Sequence, residues 1–345
     1  MTDLLIPKGS YFFWGYESTE GGGINGEHLP FNKIKSITIP KISYETKPMH
    51  TASSLTHQAE CSTRKVVEEM EIECEFQSPF ILLNVTQYNT ITAAWTGTGD
   101  AITGAFTATT HRKSIWVQVH MENASGSNDL DLTFKGGYIT DYHFIIAAGE
   151  PIMEKFKIKF QDVADAAQAP DIDDGLDDGA FDAVGIDGGY CIWDGEEQAV
   201  ILSSNCTVTW NSAALSGINW TKIDLPVLVP RAYEYVGSSL TPQVIYDQKR
   251  PQVEIIVEGY AKGDQDITQA LTAYESKTSA AFKIQYATTK YLQYSLAFLS
   301  HHVGLNNQGE KSTLTFKTSP ASAFTYYWTG DEATDPSDYI NHADP

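Results

Sequence analysis

The chain has 345 residues, 44 Asp and Glu against 23 Lys and Arg, and a formal net charge of −21. Its hydrophobic content of 42%, with 15 Phe, 7 Trp and 18 Tyr, excludes global disorder and supplies cores for about two domains at ~150 residues each. The acid excess excludes a surface that grips nucleic acid or anionic lipid, since both need uncompensated Lys and Arg.

The opening Met1–Lys8 lacks the basic and apolar regions of a secretory signal, so synthesis in the cytoplasm is expected. No apolar run approaches the ~20 residues of a membrane-spanning helix; Phe144–Ala148 and Phe80–Leu83 are typical of the longest. Cys61, Cys74, Cys191 and Cys206 form no CxxC pair and are expected to be reduced, half-buried thiols.

Along the chain, the first distinctive segment is Gly9-x-Tyr11-x-x-Trp14-x-x-Glu17, which recurs as Gly188-x-Tyr190-x-x-Trp193-x-x-Glu196 at an offset of 179. Four further echoes keep the same order. Ile37-Thr38-Ile39-Pro40 returns as Ile223-Asp224-Leu225-Pro226 at an offset of 186. Ser53-Ser54-Leu55-Thr56 returns as Ser238-Ser239-Leu240-Thr241 at 185, and Arg64-Lys65 as Lys249-Arg250. Tyr138-Ile139-Thr140 returns as Phe298-Leu299-Ser300 at 160, followed in both places by Gly-Glu. The drop in offset implies about 25 residues more in the first copy, which Thr90–Thr110, rich in Thr, Ala and Gly, can supply as an inserted loop.

Within each copy the dominant period is two. From Glu69 to Phe76, Glu69, Glu71, Glu73 and Glu75 alternate with Met70, Ile72, Cys74 and Phe76, the pattern of a strand with one wet and one buried face. The second copy keeps the phase, with Glu254 and Glu258 among Ile255, Val257, Gly259 and Ala261. A short helix is predicted after each acidic strand, capped by Ser78-Pro79 in the first copy and by Asp266 in the second, where Ile267, Leu271 and Tyr274 are spaced for one face. Gly136–Ile146 and Pro151–Phe160 read as a hairpin. Asp165–Asp187 holds eight Asp and no Lys or Arg, and reads as a solvated linker. These elements predict an all-β fold with minor helix: a first β-sandwich or barrel domain over 1–164, a linker over 165–187, a second domain over 188–322 and a C-terminal arm over 323–345. The arm opens on Phe324, Tyr326, Tyr327 and Trp328, an aromatic strip that reads either as a contact for a partner surface or as a frayed terminus.

The sequence supports no catalytic chemistry. It has no nucleophile elbow, phosphate loop or zinc-protease helix, and the aspartates of 171–179 fail calcium-loop spacing at both glycines. His301 and His302 would point to opposite faces of a strand, and His50 and His57 have no Cys or carboxylate at ligand spacing. Neither a cofactor nor a metal is expected. Asn84, Asn123, Asn205 and Asn219 begin N-x-S/T triplets of the kind that a chain rich in Ser and Thr generates.

With Trp14-Gly15-Tyr16-Glu17-Ser18-Thr19 at its start, the Ser-Ser-Leu-Thr segment, the basic pair and the Gly-Glu turn, the chain resembles the tail tube proteins of long-tailed bacteriophages and archaeal tailed viruses. The resemblance implies a β-sandwich with a flanking helix, six of which form a ring whose inner sheets join. It implies stacked rings, and a tube that conducts viral double-stranded DNA without specific binding. With two copies per chain, three chains would close a ring of pseudo-sixfold symmetry. The expected partners are then copies of the chain itself and other tail proteins (tape measure, terminator, baseplate or tip), with no membrane, and the location is the tail tube of the virion. Under this reading Glu69, Glu71, Glu73, Glu75, Glu254 and Glu258 are candidates for a negatively charged lumen, and Phe324, Tyr326, Tyr327 and Trp328 for an inter-subunit arm. The alternative for the glutamates is solvent, or cross-strand pairing with Lys157 and Lys159. The rival functions are a two-domain β-sandwich adhesin or carbohydrate binder, and another tube-related virion part such as a tail terminator or capsid decoration.

Overall fold

A computed structural model of the chain describes residues 10–17, 20–22, 29–31, 33–49, 59–76, 90–95, 100–105, 114–121, 130–164, 203–211, 213–214, 218–228, 231–236, 239, 241–242, 244–247, 253–261, 272, 274–287, 290–304, 311–318 and 324–328. These residues are 75% strand and 4% helix, in antiparallel sheets, so the fold is all-β as expected.

The first half supplies twelve strands: β1 (Ser10–Tyr16), β2 (Leu29–Pro30), β3 (Lys33–Thr38), β4 (Ile42–Met49), β5 (Ala59–Val67), β6 (Met70–Glu75), β7 (Thr90–Trp95), β8 (Asp100–Ala105), β9 (Ile115–Met121), β10 (Leu130–Ala147), β11 (Met153–Lys159) and β12 (Asp162–Ala164). The second supplies ten: β13 (Thr207–Trp210), β14 (Ala213–Ala214), β15 (Ile218–Leu228), β16 (Arg231–Glu234), β17 (Val244–Asp247), β18 (Glu254–Ala261), β19 (Ser279–Ala287), β20 (Lys290–Val303), β21 (Lys311–Thr318) and β22 (Phe324–Trp328). All but the separate hairpins β4–β5 and β16–β17 join one barrel-like hydrogen-bonded network.

One long strand in each half serves two sheets. The first part of β10 pairs with β9 and β12, and its second part with β11. The switch falls at a bulge, where Phe134 opposes Val117 but Gly137 opposes Ile115. Gly136 there has φ +61°, and a Cβ on Gly137 would lie 2.6 Å from the Phe160 ring and 2.7 Å from the Ile115 carbonyl, so the bend needs both glycines. Glu17, which follows β1 and is 5% exposed, fastens this corner: its carboxylate accepts the N–H groups of Gly21 and Gly136, each at 2.9 Å. The residue that closes the Trp14–Glu17 motif is therefore a buried backbone clamp.

The pairings of the second half repeat those of the first. The series β1–β9–β10–β12 has its counterpart in β13–β19–β20–β22, and β3–β6–β11–β10 in β15–β18–β21–β20. The bulges coincide as well. Lys35 in β3 and Thr221 in β15 are bulged at the offset of 186. Thr140 in β10 and Ser300 in β20 are bulged at the offset of 160; the Ser300 hydroxyl donates to the Thr315 carbonyl at 2.9 Å, and the Thr140 hydroxyl lies 3.5 Å from the Lys157 carbonyl. The echo of Tyr-Ile-Thr in Phe-Leu-Ser thus marks one backbone irregularity, kept by a small hydroxyl side chain.

Three sequence expectations change. Strand β13 takes the place of β1, so the counterpart of that strand is Thr207–Trp210; the Gly188–Glu196 echo lies outside the described residues. Strand β22 takes the place of β12, so Phe324–Trp328 completes a sheet of the second half. The Thr90–Thr110 stretch holds the hairpin β7–β8, whose β-branched residues suit extended backbone, and β8 pairs with β22. Thr272, Tyr274 and Glu275 are helical, as predicted for the end of the second-half helix, with Ser276 N–H donating to the Thr272 carbonyl at 2.9 Å. The first-half helix at 78–83 and the linker Asp165–Asp187 fall outside the described residues.

The halves meet strand to strand. Asp141–Ala147 of β10 pairs antiparallel with Lys222–Leu228 of β15, which places Phe144 opposite Leu225 and Ile146 opposite Ile223. All four side chains are buried, and one hydrophobic cluster runs from Phe12 and Trp14 through this seam to Phe282 and Phe316. The second contact is made by hairpin β16–β17: the Tyr235 hydroxyl donates to the Lys65 carbonyl at 3.0 Å, the Arg64 guanidinium lies 5.3 Å over the Tyr235 ring, and Gln161 donates to the Pro242 carbonyl.

Candidate functional site: the polar face of the joined sheet

Pairing at the seam produces an eight-stranded sheet in the order β3–β6–β11–β10–β15–β18–β21–β20. Its strands alternate in the manner read from the glutamate ladder. In β6, Met70, Ile72 and Cys74 are fully buried while Glu71, Glu73 and Glu75 stand on the other side; β11 and β21 alternate likewise. One face lines the core, and the other carries the charged side chains, with Met153, Ile145 and Ile256 among them.

That polar surface is patterned by strand. Rows of glutamate on β6 and β18 lie beside rows of lysine on β11 and β21. Lys155 Nζ is 2.5 Å from Glu73 Oε1, and Lys157 Nζ is 2.6 Å from Glu71 Oε1. In the second half Lys317 Nζ is 2.9 Å from Glu254 Oε1, and Lys311 Nζ is 2.5 Å from Glu258 Oε2. The hydrogen bond with Glu71 raises the pKa of Lys157, and that with Glu258 raises the pKa of Lys311. The Glu69 carboxylate, at the head of the row, accepts the Thr140 hydroxyl at 3.3 Å. The glutamates share their face with lysines one strand away, the cross-strand pairing named as the alternative to a purely acidic wall. Lys157 was anticipated as a partner; Lys155, Lys311 and Lys317 were not, because the pairing of β6 with β11 and of β18 with β21 brings together residues 53 to 86 positions apart.

At the seam the pattern tightens into a cluster. His143 Nδ1 lies 2.9 Å from Asp224 Oδ1, its Nε2 lies 3.4 Å from Asp141 Oδ1, and Lys222 Nζ lies 3.5 Å from Asp224 Oδ2. The hydrogen bonds to Asp141 and Asp224 outweigh partial burial and hold the His143 pKa at about 9, so the ring is a cation at neutral pH. His143 in turn holds the Asp141 carboxyl below its ordinary range. Asp141, two residues before the histidine on the same face of β10, is visible in the local sequence; the second acidic partner, Asp224, belongs to the other half and is not.

On the buried side of the same strands, Tyr142 donates to Glu154 Oε1 at 2.8 Å, and Glu154 stands opposite Cys74 across β6 and β11. Burial, with the Glu154 charge adding, pushes both the Tyr142 hydroxyl and the Cys74 thiol up, and burial pushes the Cys206 thiol up to about 12. These thiols are free and protonated, a state suited to packing and not to nucleophilic attack.

The sheet ends in two edges. Strand β3 has β6 as its strand partner on one side, and the His301–Val303 end of β20 has β21 on one side; among the described residues no strand covers the other side of either. Ile42, just past β3, is 41% exposed, and Val303 is 53% exposed. The backbone of Phe324–Trp328 lies between β20 and β8, with Trp328 opposite Lys290 and Asp100. No protein-family model matches the chain, and no curated protein matches its sequence.

Proposed function

We propose that the protein is a structural subunit of a tail tube: a duplicated, non-catalytic chain whose copies join edge to edge into rings, which stack into a conduit for viral double-stranded DNA. The observation that carries this reading is the seam between the halves. There the last strand of one half's inner sheet, β10, pairs with the first strand of the next, β15. The two uncovered edges are the counterparts of those strands: β20 corresponds to β10, and β3 to β15. A chain whose ends repeat its own internal joint has a head-to-tail interface with another copy, and such interfaces generate closed rings or open filaments.

The repeat offsets give the register. Asp141 pairs with Leu228 and His143 with Pro226 at the seam, so His301 is expected to pair with Ile42 of the next copy, and Val303 with Pro40. That pairing would cover the exposed Val303 and Ile42, the latter being the first residue of β4, whose other edge faces Val67 of β5. Three chains of eight strands, at ~4.8 Å between strands, give a barrel ~37 Å across before tilt widens it, enough for a duplex of ~20 Å. The tape measure, terminator and tip proteins of such a tail are the further partners, and the virion tail is the place.

Electron microscopy of the purified protein tests this. Rings or tubes of pseudo-sixfold symmetry are expected from the wild type and are expected to be lost from the double variant Ile42→Glu, Val303→Glu. A wild-type protein that stays monomeric at high concentration and is missing from tail tubes overturns it.

A further inference from the structure

The polar face of the joined sheet carries far less charge than the molecule. Within β6, β11, β10, β15, β18 and β21, seven carboxylates (Glu71, Glu73, Glu75, Asp141, Asp224, Glu254, Glu258) share the face with six lysines and the protonated His143. The lysines are Lys155, Lys157, Lys159, Lys222, Lys311 and Lys317. The net charge of −21 therefore lies elsewhere: Asp165–Asp187 alone holds eight Asp, and 329–345 five acidic residues, with no Lys or Arg in either.

We infer that this face is a charge-compensated contact surface for a passing polyanion, built neither to grip it nor to expel it. The inference rests on the tube reading for its occupant and on the ion pairs for its character. Gripping a phosphate chain draws its free energy from cations that shed mobile counterions. Here the partner of each of Lys155, Lys157, Lys311 and Lys317 is a fixed carboxylate 2.5 to 2.9 Å away, so a phosphate has to break an ion pair and releases little salt. Expulsion is weak for the complementary reason. Opposite charges stand on neighbouring strands (β6 beside β11, β18 beside β21) or within the mixed strands β10 and β15, ~4.8 Å between strands and well inside a Debye length of ~8 Å, so their fields cancel a short distance from the wall. A wall bearing the glutamates alone would oppose the entry of DNA, and one bearing the lysines alone would hold it.

The test is retention of a short DNA duplex by the full chain at low ionic strength, for three proteins. The wild type is expected to bind none. The face variant Glu71→Gln, Glu73→Gln, Glu254→Gln, Glu258→Gln uncovers four lysines and is expected to bind with an affinity that falls steeply with salt. The control Glu20→Gln, Glu68→Gln, Glu150→Gln, Glu275→Gln makes the same change in net charge at exposed positions away from the paired rows, and is expected to behave as the wild type. The inference is overturned if the wild type binds, if the face variant binds no better than the control, or if both bind alike. Should the fourfold variant fail to fold by circular dichroism, the pair Glu71→Gln, Glu258→Gln gives the same comparison with two lysines uncovered. Because retention is read on dissociated chains, its outcome is separable from the microscopy: a chain that forms no tubes yet passes this test sinks the tube and leaves the compensated face standing.

Discussion

Glu17 shows how one carboxylate stabilises a corner of the fold. It is nearly fully buried and holds two backbone N–H groups, on Gly21 and Gly136, that otherwise have no acceptor there. Glu17→Ala leaves the buried Gly136 donor unsatisfied, while the half-buried Gly21 donor can turn to water, and is expected to cost about 1–3 kcal/mol, measured as a lowered denaturant midpoint. Glu17→Gln keeps one acceptor oxygen and should lose markedly less. His143 makes the second argument at this scale. Its folded pKa of about 9 lies above the ordinary 6.5, so its pairing with Asp141 and Asp224 stabilises the native state in full below about pH 6.5. That contribution fades as pH rises through about 9, while the pKa of Lys157, a second cation near Asp141, is raised by its hydrogen bond with Glu71. The midpoint difference between wild type and His143→Gln is expected to be clear at pH 6 and gone by pH 10; a difference that persists at pH 10 would mean that packing of the ring, and not its charge, matters.

Among elements, β22 and β8 depend on each other. Strand β22 covers β20 with one edge and β8 with the other, so it joins the inserted hairpin of the first half to a sheet of the second. Truncation before Phe324 strips both edges at once and leaves β8 paired only with β7, and the start of β20 only with β19. Such edges template association, so the truncated protein is expected to elute as heterogeneous aggregates on size exclusion. An unchanged elution profile would show that these edges are protected by some other part of the chain. The acidic strands β6 and β18 teach a different lesson. Their alternation was plain in the sequence, and so was the buried face; the charge of the wet face was not, because a strand's electrostatics belong to its neighbours as much as to itself.

For the whole molecule, the seam decides how the halves behave. Phe144, Ile146, Ile223 and Leu225 are 0–1% exposed, and Phe144 packs edge-on against Phe76 with ring centroids 4.9 Å apart. A core that is continuous through paired strands couples the halves, so thermal unfolding is expected as one transition. Phe144→Ala removes a large buried ring and should cost ~3–5 kcal/mol. If the coupling holds, it lowers the melting of both halves together, read by hydrogen exchange at β6 in one and β21 in the other. Loss confined to the first half would make the two independent units.

Much of this architecture was legible in the chain itself. Residue alternation determined the all-β class, because a two-residue period admits only one pleated solution with a dry and a wet face. Short echoes at offsets of 186 and 160 located strands whose pairings and bulges do repeat, since a bulge held by a Thr or Ser hydroxyl leaves a local signature. The echo at 179 falls outside the described residues, and the strand that stands beside β19 is Thr207–Trp210. What only the tertiary structure decided were relations between distant segments: β10 beside β15, β22 between β20 and β8, lysine rows beside glutamate rows, and His143 between Asp141 and Asp224. Strand order is set by the burial of all faces at once, which no window of sequence contains. The charge of −21 is the clearest case: the sequence determines its size, and the fold gathers lysines beside the glutamates on one face and leaves the excess to the rest of the molecule.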